Sequence, residues 1–511
     1  MQDKMTPMLK AYFFIAEDVP LEELDTLQTK LYEDHIFVIL CGNEDEPTDI
    51  NSKLPRIYVS IGSDWRDFPG LISMPAHEKK RWLHFESPDK IEPGKLFYCW
   101  LSATDPLPEN KTVPLSSFTS DKPLVSVFTA AYRSKEKIQR PFKSLQAQTY
   151  DNWEWVIVDD SGDNEETYRD YLSKLDDPRI RRYRQDSYNG YIGSIKRYAA
   201  GLCTGEILVE LDHDDELTAD CLEKIVRAFQ ENPDCGFVYG DCTEVFAENL
   251  HAHWYGWDCG FGYSVYYRIW LHSMNRWQNI LRHTTINGNT IRHLVGLPNH
   301  PRAWTRECYH LVGGHREELL VSDDYDLLVR TFLSTKYASV PDLLYIQYRN
   351  EGGSNSTFTR NGQIQILVRE LKNYYYNRIY EKIRSMEMPE LVPYSRIWET
   401  SQDDPARKTA HAIREDMSKK SIIFPIPYSS DEKEHIQLYE ILNKGIKNGF
   451  RDFEVIIIGN IPADINLFAS KATSGSIRWW PMEASDPIEF YVEYGKFCAS
   501  CRDKIVIMPT H

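Results

Sequence analysis

No stretch of the 511 residues approaches about 18 consecutive apolar positions, so the sequence predicts no transmembrane helix. Leader features are scarce as well. The N-terminus, MQDKMTPMLKAYFFIAEDVP, has a short apolar core broken by charge and no small-residue cleavage site, and it reads as a strand. The ten cysteines are scattered, and the closest pair, Cys498 and Cys501, has no second pair at zinc-finger spacing. That pattern favours reduced cysteines in a cytoplasmic protein over a disulfide or zinc framework. Basic residues are outnumbered, 59 Lys and Arg against 76 Asp and Glu, for a net charge of −17. Such a balance argues against nucleic acid and against a broad anionic-membrane surface as the main partner.

What is present is globular: 42% of residues are hydrophobic and 13% aromatic, in a chain long enough for about three domains. Residues 1–118 carry apolar strands at 11–15, 36–40 and 56–61 and a helical pattern near 20–32, a small α/β domain of no assigned role. The Pro- and Ser-rich stretch from Pro106 to Pro123 reads as a linker. From Leu124 strands and helices alternate regularly: strand 124–129, helix 134–147, strand 153–158, helix 165–174, strand 180–183, helix 191–201, strand 206–211, helix 219–231, strand 236–240. A βαβα order predicts a doubly wound, mostly parallel sheet with ligands at the strands' C-terminal ends. After Asp241 the pattern breaks into an aromatic block, 251–283, and a helix is expected near 364–384. The central domain is thus placed at 119–385 and a polar linker at 386–420.

Residues 421–511 look like a faded repeat of the central domain's first half. Ser421-Ile422-Ile423-Phe424-Pro425 parallels Val125-Ser126-Val127-Phe128-Thr129, and DFEVIIIGN at 452–460 parallels NWEWVIVDD at 152–160. Gly459-Asn460 stands where the central copy has Asp159-Asp160, so a degenerate or truncated α/β half domain without that chemistry is expected.

Two acidic strand ends stand out. In LVELDHDDEL, 208–217, Asp212, Asp214, Asp215 and Glu216 follow an apolar run, and Asp159-Asp160 closes Trp155-Val156-Ile157-Val158. Crowded carboxylates repel one another unless a cation neutralises them. Hard oxygen ligands at the mouth of an α/β sheet suit Mg²⁺ or Mn²⁺, usually with a phosphorylated ligand.

The ordered set of a strand with Tyr132 after it, a helix ending S-L-x-x-Q, a strand ending Asp-Asp, the Asn189-Gly190 turn, and Gly-Glu before the acidic strand end resembles the nucleotide-binding half of family 2 inverting glycosyltransferases of the GT-A fold. The resemblance spans about 124–355. It implies that Asp160 accepts a hydrogen bond from the uracil of a UDP-sugar, with Thr129 and Tyr132 also at the nucleotide and Tyr132 packing on the base. It implies that Asp214 ligates a divalent metal, Mn²⁺ or Mg²⁺, that Asp212 lies nearer the ribose and sugar, and that Lys196 or Arg197 lies near the phosphates. A capping role for Tyr132, or solvated helix charges at 196 and 197, remain alternatives.

An inverting transferase also needs a general base. GGHREELLVSDDYDLLVRTFL, 313–333, resembles the family's acceptor-side motif, so Asp324 matches the base, Asp323 replaces the more usual Glu, and Asp326 is a weaker candidate; helix capping is the alternative. His300 and Arg302 are candidates for contact with acceptor or phosphate. Trp254 and Trp257, within the aromatic block, suit stacking on sugar rings or core packing equally. The partners implied are a nucleotide-sugar donor and a glycan acceptor. Three rivals are weaker. A sugar-nucleotide pyrophosphorylase needs a Gly-rich loop that AAYRSKE lacks, and a processive membrane synthase needs Q-x-x-R-W and membrane helices. A non-catalytic nucleotide- or carbohydrate-binding scaffold fits the C-terminal copy but not the complete central set.

Overall fold

The computed structural model describes residues 8–107 (without 51 and 53), 113, 116–253 (without 163, 164 and 187), 266–349 (without 282, 284, 285 and 287) and 359–385, plus the backbone of four strands beyond residue 420. The N-terminal sheet contains β1 (Leu9–Ile15), β2 (Ile36–Gly42), β3 (Arg56–Ile61) and β4 (Trp82–Phe85), all parallel in the order β2-β1-β3-β4. Every residue of β3 is buried, as a central parallel strand covered on both faces requires. The helices Leu21–Glu33 and Pro93–Ala103 pack here, the second through Leu96, Phe97 and Trp100.

The central sheet is built from β5 (Val125–Ala131), β6 (Trp153–Asp159), β7 (Ile180–Arg184), β8 (Ile207–Glu210), β9 (Glu216–Leu217), β10 (Cys235–Phe246), β11 (Tyr266–Leu271), β12 (Arg276–Leu281), β13 (Arg302–Thr305) and β14 (Lys336–Arg349). Its order is β11-β12-β10-β13-β8-β5-β6-β7, with β14 paired to β10 and β9. β5, β6, β7 and β8 run parallel, whereas β13 is antiparallel to both β8 and β10. This is the doubly wound, mostly parallel α/β sheet that the resemblance implies. β5 lies between β6 and β8, so the chain switches direction across the sheet there, and the crevice beyond its C-terminal end is where such sheets take ligands. β10 continues to Phe246, past the break expected after Asp241, because its second half pairs with Leu343–Arg349 of β14, about a hundred residues away.

Alternation along the strands sends side chains to two layers. Val127, Trp155, Ile157 and Val209 pack with the helix Cys221–Glu231, whose Leu222, Ile225, Val226 and Phe229 form its apolar stripe. Phe128, Val156, Val158 and Leu208 face the other way, toward Ile195 and Ala199 of the helix Ile192–Gly201. That second layer runs without a break into Leu9, Phe13 and Trp100 of the N-terminal domain.

Beyond residue 420, β15 (Ser421–Ile426), β16 (Glu454–Gly459), β17 (Ser476–Trp480) and β18 (Ile505–Val506) form a parallel sheet in the order β17-β16-β15-β18. Numbered by appearance, that is third-second-first-fourth, the order of β7-β6-β5-β8. Register refines the correspondence read from sequence. Ser126 faces Glu154 and Ser421 faces Glu454, so Ser421 matches Ser126, one residue on from the Val125 suggested by the apolar pattern. Alternation of similar residues hides a one-residue slip; backbone pairing does not.

Candidate active site

At the end of β6, the Asp160 amide donates to the Ala131 carbonyl at 2.8 Å and so fixes the strand end beside β5. The Asp160 carboxylate accepts from the amides of Asn189 (2.9 Å) and Gly190 (3.2 Å). Burial raises its pKa, and these two amides pull it back in part. Gly190 has φ +79°, which a side chain would resist, and it lets the turn lie flat on the carboxylate. The Tyr132 and Tyr188 rings stand 5.0 Å apart, tilted by 34°. Thr129 is buried: its hydroxyl donates to the Leu211 carbonyl (2.6 Å) and accepts from the Trp155 indole (2.9 Å). It joins β5 to the acidic segment from below.

That segment is pinned by β14. Asp215, fully buried, accepts from the Tyr345 hydroxyl (2.9 Å) and the Tyr348 amide (2.7 Å), while the Asp212 amide donates to the Tyr345 hydroxyl (3.1 Å). The Asp215 pKa rises well above the usual value, first through burial and then through the negative charges of Asp214 and Asp212. Arg140 donates to the Asp214 carbonyl (3.1 Å) with its guanidinium 3.9 Å over the Tyr348 ring. A segment with this excess of carboxylate fits a hard divalent cation. Donor atoms of Glu210, Asp212 and His300 also lie within 4.8 Å of one another. Glu210, however, already has Lys196 Nζ at 2.5 Å and Arg302 Nη1 at 3.8 Å. Its charge is matched, so of the acids here Asp212 and Asp214 are the ones that could hold a metal. His300 stacks on Tyr345 (4.5 Å, 19°) with Nε2 3.7 Å from Asp212; burial and the Arg302 charge lower its pKa to about 4, so the ring is neutral.

Across the cleft, Ser322 with φ +58° delivers the chain into the helix Asp323–Ser334. Asp324 is about a third exposed and accepts from Arg302 Nη2 at 2.9 Å. Burial would raise its pKa, but Arg302 and Lys196 win and hold it below the usual range. Asp323 is buried; burial, then the charges of Asp324 and Glu210, push it up to about 7 against the opposing pull of Lys196. His315 is fully buried, shares a hydrogen bond with the Tyr309 hydroxyl (2.8 Å), and directs Nε2 at Asp323 (3.7 Å) and Glu210 (3.9 Å).

The structure therefore brings Asp212, Asp323, Asp324, Lys196, His300 and Arg302 into one connected cluster, with Asp214 two residues from Asp212. Lys196 is buried between Glu210 and Asp323 (3.7 Å). Arg197 points elsewhere: its guanidinium donates to the carbonyls of Gly313 and His315 and lines a cleft of about 300 Å³ beside Arg81 and Arg316. Asp326 is committed to Arg316 (2.9 Å) and Arg330 (2.5 Å) in the core. Trp254 and Trp257 lie outside the described residues; Trp270 and Trp277 of the same aromatic block form an exposed cross-strand pair 5.8 Å apart. Sequence reading missed Glu210, His315, Tyr345 and Arg140. Glu210 was within reach, since on a strand it shares a face with Asp212; Tyr345 carried no signal at all.

Residues 126–295 match the family model described as Glycosyl transferase family 2. The match covers the first strands and helices of the central sheet, about a third of the chain. Curated relatives agree with that match. An uncharacterized glycosyltransferase of Haemophilus influenzae is 25% identical over 358 residues, 65% of this chain and 98% of that one. A chondroitin synthase of Escherichia coli is 28% identical over 210 residues, 41% of this chain and 26% of that one. The glycosyl transferase WcaA of Escherichia coli (strain K12) is 31% identical over 121 residues, and the match spans 24% of this chain and under half, 43%, of WcaA. Among solved structures, Staphylococcus aureus TarS 1–349 in complex with UDP-GlcNAc is similar at 15% identity, covering 64% of this chain and 92% of that one with a TM-score of 0.35. The mannosyltransferase PcManGT of Pyrobaculum calidifontis, in complex with GDP-Man and Mn²⁺, is similar at 14% identity, covering 69% and 88% with a TM-score of 0.36.

Proposed function

We propose that the chain is an inverting, metal-dependent, non-processive glycosyltransferase that moves a sugar from a nucleoside diphosphate sugar, with UDP favoured, to a hydroxyl of a glycan. One observation carries this reading. Arg302 reaches Asp324 at 2.9 Å and Glu210 at 3.8 Å, so the ionised acid that opens the acceptor-side helix shares a cleft with the strand leading into Asp212 and Asp214.

On this reading Asp160, Tyr132 and the 188–190 turn receive the base, and Asp214 with Asp212 would hold Mn²⁺ or Mg²⁺. Bound there, such a metal would supply charge to offset that of a departing diphosphate. Asp324, ionised and partly exposed, takes the acceptor proton as that hydroxyl attacks the anomeric carbon from the face opposite the diphosphate, which inverts the configuration. Lys196 and Arg302 keep the acidic cluster from repelling itself apart; Lys196 meets the phosphates only through the field it adds.

Asp324→Asn tests this. The amide keeps the shape and can still accept from Arg302, but it takes no proton at neutral pH. Turnover should drop by about two to four powers of ten with donor binding little changed. Near wild-type transfer by that variant would leave Asp324 a helix cap and pass the role to Asp323.

A further inference from the structure

Glu318 stands five residues before Asp323, on the loop that joins the helix Arg306–Leu311 to the acceptor-side helix. Its side-chain partners come from the N-terminal domain. Arg81 grips the carboxylate in bidentate fashion at 2.6 and 3.1 Å, and the Trp100 indole donates to the same group at 2.7 Å. Arg81 is itself held, donating to the Arg56 carbonyl at 3.2 Å beside the buried Arg56–Glu78 pair.

Two residues earlier, Arg316 makes the second tie. Its Nη1 donates to the Leu101 carbonyl (2.9 Å) and the Thr104 hydroxyl (3.0 Å) at the end of the helix Pro93–Ala103. Its Nη2 donates to Asp326 (2.9 Å), in the first turn of the acceptor-side helix. The loop begins at Gly313, φ +83°, where a Cβ would lie 2.4 Å from Pro106. It ends at Ser322, in a left-handed conformation that a non-glycine residue holds only when its surroundings enforce it.

We propose that the N-terminal domain is a positioning element for sugar transfer: through Arg81 and Trp100 on Glu318, and through Leu101 and Thr104 on Arg316, it sets the path of loop 313–322 and hence the place of Asp324. Bidentate, buried arginine–carboxylate pairs fix orientation as well as distance. A displacement of about 1 Å at a reacting group costs on the order of a hundredfold in rate, so a domain that touches no substrate can still govern turnover. The rate consequence rests on Asp324 being the base; the clamp on the loop does not.

The test uses the full chain, with hydrogen exchange and kinetics read together. Arg81→Met should raise amide exchange across 313–322 by about tenfold or more while the strands Val125–Ala131 and Trp153–Asp159 keep their protection. In the same variant kcat should fall roughly 10- to 100-fold while the donor KM moves less than about threefold. Reversing the pair, Arg81→Glu with Glu318→Arg, should recover part of both. Trp100→Phe, which removes only the indole donor, should show the same pattern at a few-fold scale and serves if Arg81→Met fails to fold.

Unchanged exchange at 313–322, or raised exchange with unchanged kcat in a chain whose Asp324→Asn variant is inactive, would overturn the proposal. So would loss of protection spread evenly over the strands and the loop. If Asp324→Asn transfers at wild-type rate, the base assignment fails, and the exchange data still decide whether the N-terminal domain holds the loop.

Discussion

The β5–β8 sheet and the β15–β18 sheet share one strand order and one register pair, Ser126 against Glu154 in the first and Ser421 against Glu454 in the second. They differ at the strand ends. β6 closes on Asp159 and passes to Asp160, whereas β16 closes on Gly459 and passes to Asn460. In the central sheet Glu154 accepts from the Ser126 hydroxyl (2.6 Å) and from the amide and hydroxyl of Thr204 (2.6 and 2.8 Å), and it pairs with Arg181 (3.0 Å). Glu154 therefore ties strands together, while Asp160 holds the turn at Asn189 and Gly190. Both copies keep the first acid; only the central copy keeps the second.

The largest effect should come from an acid that only the central copy carries. Asp214→Ala should abolish the Mn²⁺-dependent rise in Tm produced by UDP, without lowering the Tm of the free protein, since it also relieves repulsion on Asp215. Retained stabilisation would place nucleotide and metal elsewhere, the C-terminal sheet included.

Next comes the acid that both copies share. Glu154→Ala removes the shared acceptor of buried Ser126 and of the more exposed Thr204 and Arg181, and should cost about 1–2 kcal/mol in urea unfolding. Glu454→Ala should destabilise only the C-terminal unit. If it costs nothing, the likeness of the two sheets stops at strand order.

A smaller, pH-dependent effect should mark the central copy alone. The folded-state pKa of Asp323 is raised, from 3.8 to about 7, so the stability it contributes is full below the unfolded value and is lost as pH rises through about 7. Across that window wild-type Tm should decline relative to Asp323→Asn, whose neutral amide does not titrate; parallel Tm curves would remove Asp323 from the charged cluster.

The smallest expected effect is the sharpest on the comparison. Restoring an acidic pair with Gly459→Asp and Asn460→Asp should add no second UDP site by titration calorimetry. A second site would mean that the acid pair by itself, and not the cluster across the cleft, defines nucleotide binding.

Local pattern made much of the fold legible. Trp153–Asp159 and Ile207–Glu210 are runs of β-branched and aromatic residues ended by charge, and the helix Cys221–Glu231 repeats its apolar residues at 3 and 4. β13 and β14 were not legible, because antiparallel insertion beside β8 and a long parallel pairing with β10 are set by partners far away in sequence.

The sequence by itself determined which residues crowd together along the chain: carboxylates at strand ends, an acidic opening to a helix, a turn built on Asn189 and Gly190. Charge and turn chemistry act over a few residues, so composition and spacing suffice to find them. Only the tertiary structure decided which charge meets which. Lys196 and Arg197 are adjacent on one helix, yet Lys196 is buried against Glu210 and Asp323 while Arg197 turns to the carbonyls of Gly313 and His315. Arg81 meets Glu318 across 237 residues of sequence. A buried ion takes the partner that folding brings within about 4 Å, because in the interior an unmatched charge costs several kcal/mol, and sequence distance has no part in that choice.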